Sequence, residues 1–235
     1  MIADHLCSCQ NLFQLNVMGY DFMVNGMKTL LMRKPTVVSI IIKLNIIVFI
    51  LWFILAPRPE FMLQNFLVSW SAVTSGRFWT LLTSVFSHNM LFHLLINMYV
   101  FFGFGSAMER VLGSKKFLFF YLMAGLVGSL GHCLVSSLIL KAPEIPALGA
   151  SGAVSGVILV FSLMFPREKL LILGIIPIPA IFGALLFVGL DIWGLIAQSR
   201  GSSLPIGYGA HLGGAMAGLL YYIIYLRKKL VLRQT

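Results

Sequence analysis

Ser151 lies in the segment GASGAVSG, among glycines and alanines, in a chain that is largely apolar. A serine hydroxyl attacks a carbonyl carbon only when a nearby base removes its proton, and a neutral histidine does this near physiological pH. His211, in the segment GYGAHLGGAMAG, is a candidate for this base. The pair indicates covalent acyl transfer, with Ser151 as nucleophile and His211 as general base.

A packing role is the alternative for both residues. Small residues four apart, such as Gly152 and Gly156, let membrane helices approach closely, so Ser151 alone is consistent with a packing stretch. A single histidine facing the inside of a helical bundle is often structural as well. The positions of these residues along the predicted helices decide between the two interpretations.

Composition places these residues in a membrane protein. Of 235 residues, 59% are hydrophobic and 10% are charged, whereas a soluble domain is roughly half apolar. The net charge of +10 does not indicate a nucleic-acid partner, because membrane proteins collect Lys and Arg at the ends of their helices. We therefore predict a membrane bundle without a soluble domain.

Apolar runs of about 20 residues are needed to cross a hydrocarbon core of about 30 Å. Six candidate runs predict an all-α, six-helix membrane bundle with a short fourth helix: residues 36–56, 90–108, 117–138, 151–165, 178–197 and 205–226. Two prolines in GIIPIPA predict an extended entry into the fifth span.

The segments outside the spans complete the predicted organisation. Residues 57–87, in the first outer loop, mix aromatic, apolar and small polar side chains, which predicts association with the membrane interface. We predict a cytoplasmic tail at 1–35, the membrane domain at 36–229 and a second cytoplasmic tail at 230–235.

Basic residues are distributed unequally between the two sides of the predicted bundle, with twelve on the side of the tails and four on the other. This bias predicts that both termini are cytoplasmic. Six spans with no appended domain favour a cell inner (plasma) membrane, with an organelle inner membrane as the alternative. The twelve are Lys28, Arg33, Lys34, Arg110, Lys115, Lys116, Arg167, Lys169, Arg227, Lys228, Lys229 and Arg233, and the four are Arg58, Arg77, Lys141 and Arg200.

Ser151, His93 and His211 share one predicted depth. Each lies sixteen residues before a charge on the inner side, namely Arg167, Glu109 and Arg227 respectively. At 1.5 Å per residue this is about 24 Å above the inner boundary and roughly 6 Å below the outer one. Because unrelated packing residues need not align, the shared depth favours catalysis near the outer face. Asn97 follows His93 by four residues on the same helix face, and both are predicted to donate hydrogen bonds to an oxyanion.

The chain resembles the rhomboid family of intramembrane serine proteases at these residues. The resemblance rests on GASG with Ser151, AHLGG with His211, and HNMLFHLLIN with His88, His93 and Asn97, in this order. It implies a six-helix core, a Ser–His dyad without an acidic member, and an oxyanion hole formed by His93, Asn97 and the serine N–H. It also implies cleavage of transmembrane proteins that enter laterally, with no metal or nucleotide.

Three side chains near the predicted site need separate interpretation. Some family members have a histidine-stacking tyrosine where this chain has Ser155, so the group that orients His211 is not identified. For Asp191 we favour a role in packing or helix capping over a third catalytic member. His88 lies about 31 Å above the inner boundary by the same measure, at the outer membrane surface. This position predicts a structural role near the outer opening of the site.

Other ligands and classes are less consistent with the sequence. Cys7, Cys9 and His5 resemble a metal clip only faintly, because no fourth ligand is evident, so we predict neither metal nor small-molecule cofactor. An inactive, client-binding relative would be expected to lack Ser151 or His211, and a transporter would have repeated halves. We predict an intramembrane serine endopeptidase whose partners are transmembrane substrates and the lipid bilayer, and not nucleic acid.

Overall fold

The computed structural model describes residues 34–172, 176–201 and 206–227. Residues 1–33 and 228–235 lie outside the described part. They include nearly all of both predicted tails, and Cys7, Cys9 and His5. The predicted domain boundaries at 35/36 and 229/230 therefore stay predictions.

The described residues form nine helices and one β-hairpin. In chain order these are α1 Thr36–Ile54, α2 Glu60–Phe66, α3 Trp70–Thr74, α4 Thr80–Thr83, α5 Leu91–Leu112, α6 Ser114–Leu134, α7 Ser151–Met164, β1 Lys169–Ile172, β2 Ile176–Pro179, α8 Ala180–Ser199 and α9 Tyr208–Tyr221. A 3-10 turn, Ser84–Phe86, follows α4, and wider π-helical turns extend α6 to Ile139 and α9 to Leu226.

Five helices are long and apolar enough to cross a membrane: α1, α5, α6 with its extension, α8, and α9 with its extension. The predicted fourth span corresponds to α7, which is apolar but has only 14 residues. Since a full crossing needs about 20 residues, its place as a sixth transmembrane element stays a prediction.

The hairpin corrects the prediction of an all-α protein. Strands β1 and β2 pair antiparallel, and the backbone N–H of Ala180 donates to the Glu168 carbonyl at 2.7 Å where α8 begins. Pro177 and Pro179 lack the N–H that a helix would use, so the chain enters α8 in extended form. The predicted extended entry is confirmed.

The core lies between α1, α5, α6 and α7. Its largest fully buried side chains are aromatic, and Phe101 of α5 lies against Phe117 and Tyr121 of α6, with ring centroids 6.1 and 4.9 Å away. Small or β-branched residues of α7, including Ala153 and Val157, pack into the same cluster. The core therefore holds the serine-bearing helix α7 at the centre of the bundle.

A buried carboxylate near the end of α5 caps α1. Glu109 accepts hydrogen bonds from the backbone N–H groups of Thr36, Val37 and Val38 at 2.9 to 3.0 Å, and from the Ser114 hydroxyl at 2.6 Å. The first N–H groups of a helix have no acceptor within it, and the helix dipole favours a negative charge there. Glu109 thus joins α1 to α5 and α6.

We expect Glu109→Gln to destabilise the fold. The amide leaves one oxygen for the N–H groups of α1, and hydrogen bonds to a charged acceptor contribute about 1.5–3 kcal/mol each, so a loss of about 3 kcal/mol is expected. Chemical unfolding in detergent measures this loss. The control is Glu60→Gln, in the first turn of α2, where the side chain is exposed. Equal unfolding midpoints for both variants would contradict the capping role.

Candidate active site

Ser151 is the first residue of α7, and the segment before it is held by residues that lie between α1 and α5. Val68 and Ala147 exchange backbone hydrogen bonds of 2.9 and 2.8 Å, and the Gly149 N–H donates to the Ser84 carbonyl at 2.9 Å. Gly149 has φ +125°, a conformation that favours glycine. The start of α7 is thereby set, and its first N–H groups have no acceptor within the helix.

Helix α9 carries His211 and lies in direct backbone contact with α7. A Cβ atom placed on Gly214 would be 1.8 Å from the carbonyl oxygen of Gly152. Only a residue without a side chain fits there, in agreement with the close approach predicted from the small residues of α7. This contact brings His211 to the beginning of α7.

Ser151 and His211 are joined by a hydrogen bond. The distance between the Ser151 Oγ and the His211 Nε2 is 2.9 Å, although the two residues are sixty positions apart in sequence. This is the contact that a general base needs in order to take the hydroxyl proton.

The other ring nitrogen of His211 bonds to Asp191 of α8. The distance between His211 Nδ1 and Asp191 Oδ1 is 2.9 Å, and both side chains are largely buried, with 13% and 7% exposed. An ionised carboxylate can only accept, so Nδ1 carries the proton and Nε2 is left to accept from Ser151. Asp191 lies in the middle of α8, so the capping interpretation was wrong, and its part as a third catalytic member stays a hypothesis.

Phe187, one turn before Asp191 on α8, stacks on the His211 ring. The centroids are 5.6 Å apart and the planes are inclined by 28°. It supplies a ring contact that Ser155 cannot make, and the Ser155 hydroxyl donates instead to the Ser151 carbonyl at 2.7 Å. The spacing of four between Phe187 and Asp191 was a signal that both side chains share one face of α8.

His93 and Asn97, the two predicted oxyanion donors, both lie on α5. A Cβ on Gly149 would be 2.8 Å from the His93 ring, which places that ring directly against the residue two before Ser151. Asn97 is buried, and its Nδ2 donates to the His93 carbonyl at 2.9 Å, which leaves the second amide proton for another acceptor. Their predicted role as oxyanion donors stays a prediction.

His88 is fully buried within the protein, and its predicted level at the outer membrane surface stays a prediction. The measure of 1.5 Å per residue applies only within a helix, and α5 begins at Leu91, whereas the chain before it folds back in a 3-10 turn and a loop. Its Nε2 lies 3.5 Å from the Ala150 nitrogen, and its ring contacts the ring of His93.

Among the described residues, no cluster of three or more His, Cys, Asp or Glu side chains is placed to hold a metal ion. The predicted absence of a cofactor stays a prediction.

Three curated proteins are similar to this chain over most of its length. "RHOMBOID-like protein 12, mitochondrial" of Arabidopsis thaliana is 33% identical over 180 residues, covering 72% of this chain and 52% of its own length. "Rhomboid protein 1, mitochondrial" of Saccharomyces cerevisiae is 33% identical over 193 residues, covering 80% and 53%. The human "Presenilin-associated rhomboid-like protein, mitochondrial" is 30% identical over 187 residues, covering 79% and 47%. The chain spans about half the length of these curated relatives.

These relatives overturn the predicted location. All three are named as mitochondrial proteins, so the prediction of a cell plasma membrane with cytoplasmic termini was wrong. The physical reason is that span length and charge bias take the same form in any bilayer with a core of about 30 Å, and therefore do not distinguish one membrane from another.

A family model described as "Rhomboid domain" matches residues 75–228. The match covers α5 to α9, including the hydrogen-bonded Ser151, His211 and Asp191. Together with the relatives above, it establishes that this chain belongs to the rhomboid family of membrane proteins.

Proposed function

We propose that the chain is an intramembrane serine endopeptidase that hydrolyses peptide bonds in or near the transmembrane segments of other proteins. The observation that carries the proposal is the 2.9 Å hydrogen bond between Ser151 Oγ and His211 Nε2 within a bundle of membrane helices. The rhomboid family match and the order of the motifs support it.

The steps of peptide hydrolysis follow from a proton on His211 Nδ1 and a proton on the Ser151 hydroxyl. His211 Nε2 takes the Ser151 proton as Oγ attacks the carbonyl carbon of the substrate, forming a tetrahedral oxyanion. The protonated His211 then gives this proton to the leaving amine as the C–N bond breaks. A water molecule, deprotonated by His211 in turn, hydrolyses the acyl ester and restores the serine.

The oxyanion needs donors placed where its charge develops. We assign this role to the His93 ring, the free amide proton of Asn97 and the backbone N–H of Ser151. The last belongs to the first turn of α7, where N–H groups have no helical acceptor and the helix dipole favours a negative charge. The His93 ring lies against Gly149, two residues before Ser151, and Gly149 has no side chain to exclude a substrate carbonyl.

Asp191 extends the predicted dyad to a third member in this mechanism. Its carboxylate fixes the Nδ1–H tautomer of His211 and stabilises the imidazolium that forms during attack. Its Oδ2 is buried and has no hydrogen-bond partner in the part of the chain that the structure describes. A structural carboxylate would be expected to use both oxygens, so the contact with His211 accounts for this residue best.

We expect Asp191→Asn to lower kcat by roughly 10²–10⁴-fold, the range seen when general-base catalysis or its orienting acid is lost. KM should not change, because Asp191 is assigned no contact with substrate. Steady-state cleavage kinetics on the purified variant measure both values, and its thermal midpoint serves as the check on folding. An Asp191→Asn protein with wild-type kcat would show that the acid has no catalytic part.

The finer architecture and setting are also proposals. We propose that α7 is the sixth, short transmembrane element, that residues 57–87 lie in the membrane interface, and that substrates enter laterally between helices. Because the named relatives are mitochondrial, we propose the mitochondrial inner membrane as the location.

The proposal is tested with purified protein in detergent and a single-span substrate that has small residues in its membrane segment. Two products, with termini inside or beside that segment by mass spectrometry, are expected. No product from any of a panel of such substrates, with the protein shown to be folded, would reject the assignment.

A further inference from the structure

His88 contacts two parts of the candidate oxyanion hole at once. It lies in the short loop between the 3-10 turn Ser84–Phe86 and α5, outside the membrane-spanning helices. Its Nε2 is 3.5 Å from the Ala150 nitrogen, in a long hydrogen bond that Ala150 donates. Its ring meets the His93 ring at a centroid distance of 4.9 Å, with the planes inclined by 66°.

The contact with Ala150 engages the last backbone N–H before α7. Along the segment before α7, the Gly149 N–H donates to the Ser84 carbonyl and the Ala150 N–H donates to His88. The next N–H belongs to Ser151, the first residue of α7, and has no helical acceptor. Two consecutive peptides are therefore fixed, and the third is left free to donate to an oxyanion.

The contact with His93 fixes the second donor. An edge-to-face pair of rings has a preferred geometry, and here the His93 ring is held between His88 on one side and Gly149 on the other. A rotation of the His93 ring toward His88 would need the His88 ring to move as well.

The loop that carries His88 is anchored to α1. The indole Nε1–H of Trp52 donates to the Ser87 hydroxyl at 2.9 Å, and the Ser87 N–H donates to the Ser84 carbonyl at 3.1 Å. Ser84 thus receives N–H groups from both this loop and Gly149. The loop and the segment before α7 are therefore both hydrogen-bonded to the Ser84 carbonyl.

We propose that His88 is the positioning residue of the oxyanion hole, holding the peptide before Ser151 and the ring of His93 in the arrangement that receives the substrate oxygen. This rests on the proposed function. His88 acts through Ala150 and His93, and touches neither the substrate nor the reacting atoms.

Two further features agree with this role. Burial, with a smaller effect from His93, lowers the pKa of His88 to about 3, so the ring stays neutral and its Nε2 remains an acceptor. The Nδ1 atom is buried and has no partner among the described residues. A buried N–H without a partner is unfavourable, so an apolar side chain would serve mere packing better.

The test compares two variants that replace His88 with an amide side chain of different length. In His88→Gln the amide oxygen reaches the position of Nε2, whereas in His88→Asn the shorter side chain reaches only the position of Nδ1. We expect His88→Asn to lower kcat by about tenfold or more at unchanged KM, since misplacement by about 1 Å can cost about 100-fold. His88→Gln should restore most of kcat. Activity is expressed per serine labelled by a fluorophosphonate, so that unfolded protein is not counted.

The outcomes separate this proposal from the proposed function. If the wild-type protein cleaves no substrate, the proposed function fails. If it cleaves and both variants match its kcat per labelled serine, or both lose kcat equally, the position of the acceptor is irrelevant and the role of His88 is refuted. A drop in the thermal midpoint with kcat per labelled serine unchanged identifies a merely structural residue, and refutes it too.

Discussion

Replacing Ser151 with alanine is expected to abolish cleavage of a transmembrane substrate while leaving the fold intact. Loss of the nucleophile in serine hydrolases costs about 10⁶-fold in kcat, because the remaining groups have no atom to acylate. Alanine is compatible with the first turn of α7. The Ser151 side chain is bonded only to His211 in the described part of the chain, so the thermal midpoint should change little.

A matched control lies one turn later on the same helix. Ser155→Ala removes a hydroxyl that donates to the Ser151 carbonyl at 2.7 Å and contacts no group of the proposed mechanism. It should retain most of the wild-type kcat. Undiminished cleavage by Ser151→Ala, with the Ser155 variant also active, would show that Ser151 is not the nucleophile.

Gly214→Ala is expected to lower both stability and activity, through the distance between two helices. The new Cβ would lie 1.8 Å from the Gly152 carbonyl oxygen, and a backbone atom cannot rotate away as a side chain does. Overpacking typically costs about 1–3 kcal/mol, and sometimes more. Any separation of α7 from α9 also lengthens the bond between Ser151 and His211, and a shift of about 1 Å can cost about 100-fold in rate.

The control for this substitution is Gly189→Ala on α8, where an added Cβ has no heavy atom within 4 Å. It should leave both the unfolding midpoint and kcat near the wild-type values. Both variants are compared by chemical unfolding in detergent and by kcat on one substrate. A Gly214→Ala protein as stable and active as Gly189→Ala would mean that the two helices are not in backbone contact.

Most helices could be predicted from the sequence because their signal is local. A membrane crossing needs a long apolar run, so the five spanning helices lie where the runs are, and their ends differ by a few residues from those predicted. The start of α7 at Ser151 and the extended entry at Ile176–Pro179 also followed from local features, namely the small residues of GASG and the two prolines.

The partners of His211 could not be predicted in the same way. Whether Asp191 and Phe187 face His211 depends on how α8 is rotated about its axis, and the sequence of an apolar helix constrains that rotation weakly. The available signal was that Phe187, Asp191 and Gly194 recur on one helix face, and Gly194 accommodates the ring of Tyr208 from α9. The predicted depth of Asp191 did not show that this face of α8 contacts His211.

The burial of His88 could not be predicted from the sequence either. Its burial follows from a turn and a loop of seven residues, 84–90, whose path is set by hydrogen bonds to Trp52 and Gly149, far away in sequence. Such contacts have no periodic pattern from which they could be recognised.

The central claim, that His211 activates Ser151 for attack, is tested most directly by covalent labelling with a fluorophosphonate. The activated oxygen displaces fluoride from phosphorus, and peptide mass spectrometry locates the adduct. We predict a single adduct on Ser151 in the folded wild-type protein, and none in Ser151→Ala or His211→Ala. An adduct on another residue, or labelling of Ser151 that persists unchanged in His211→Ala, would contradict the account.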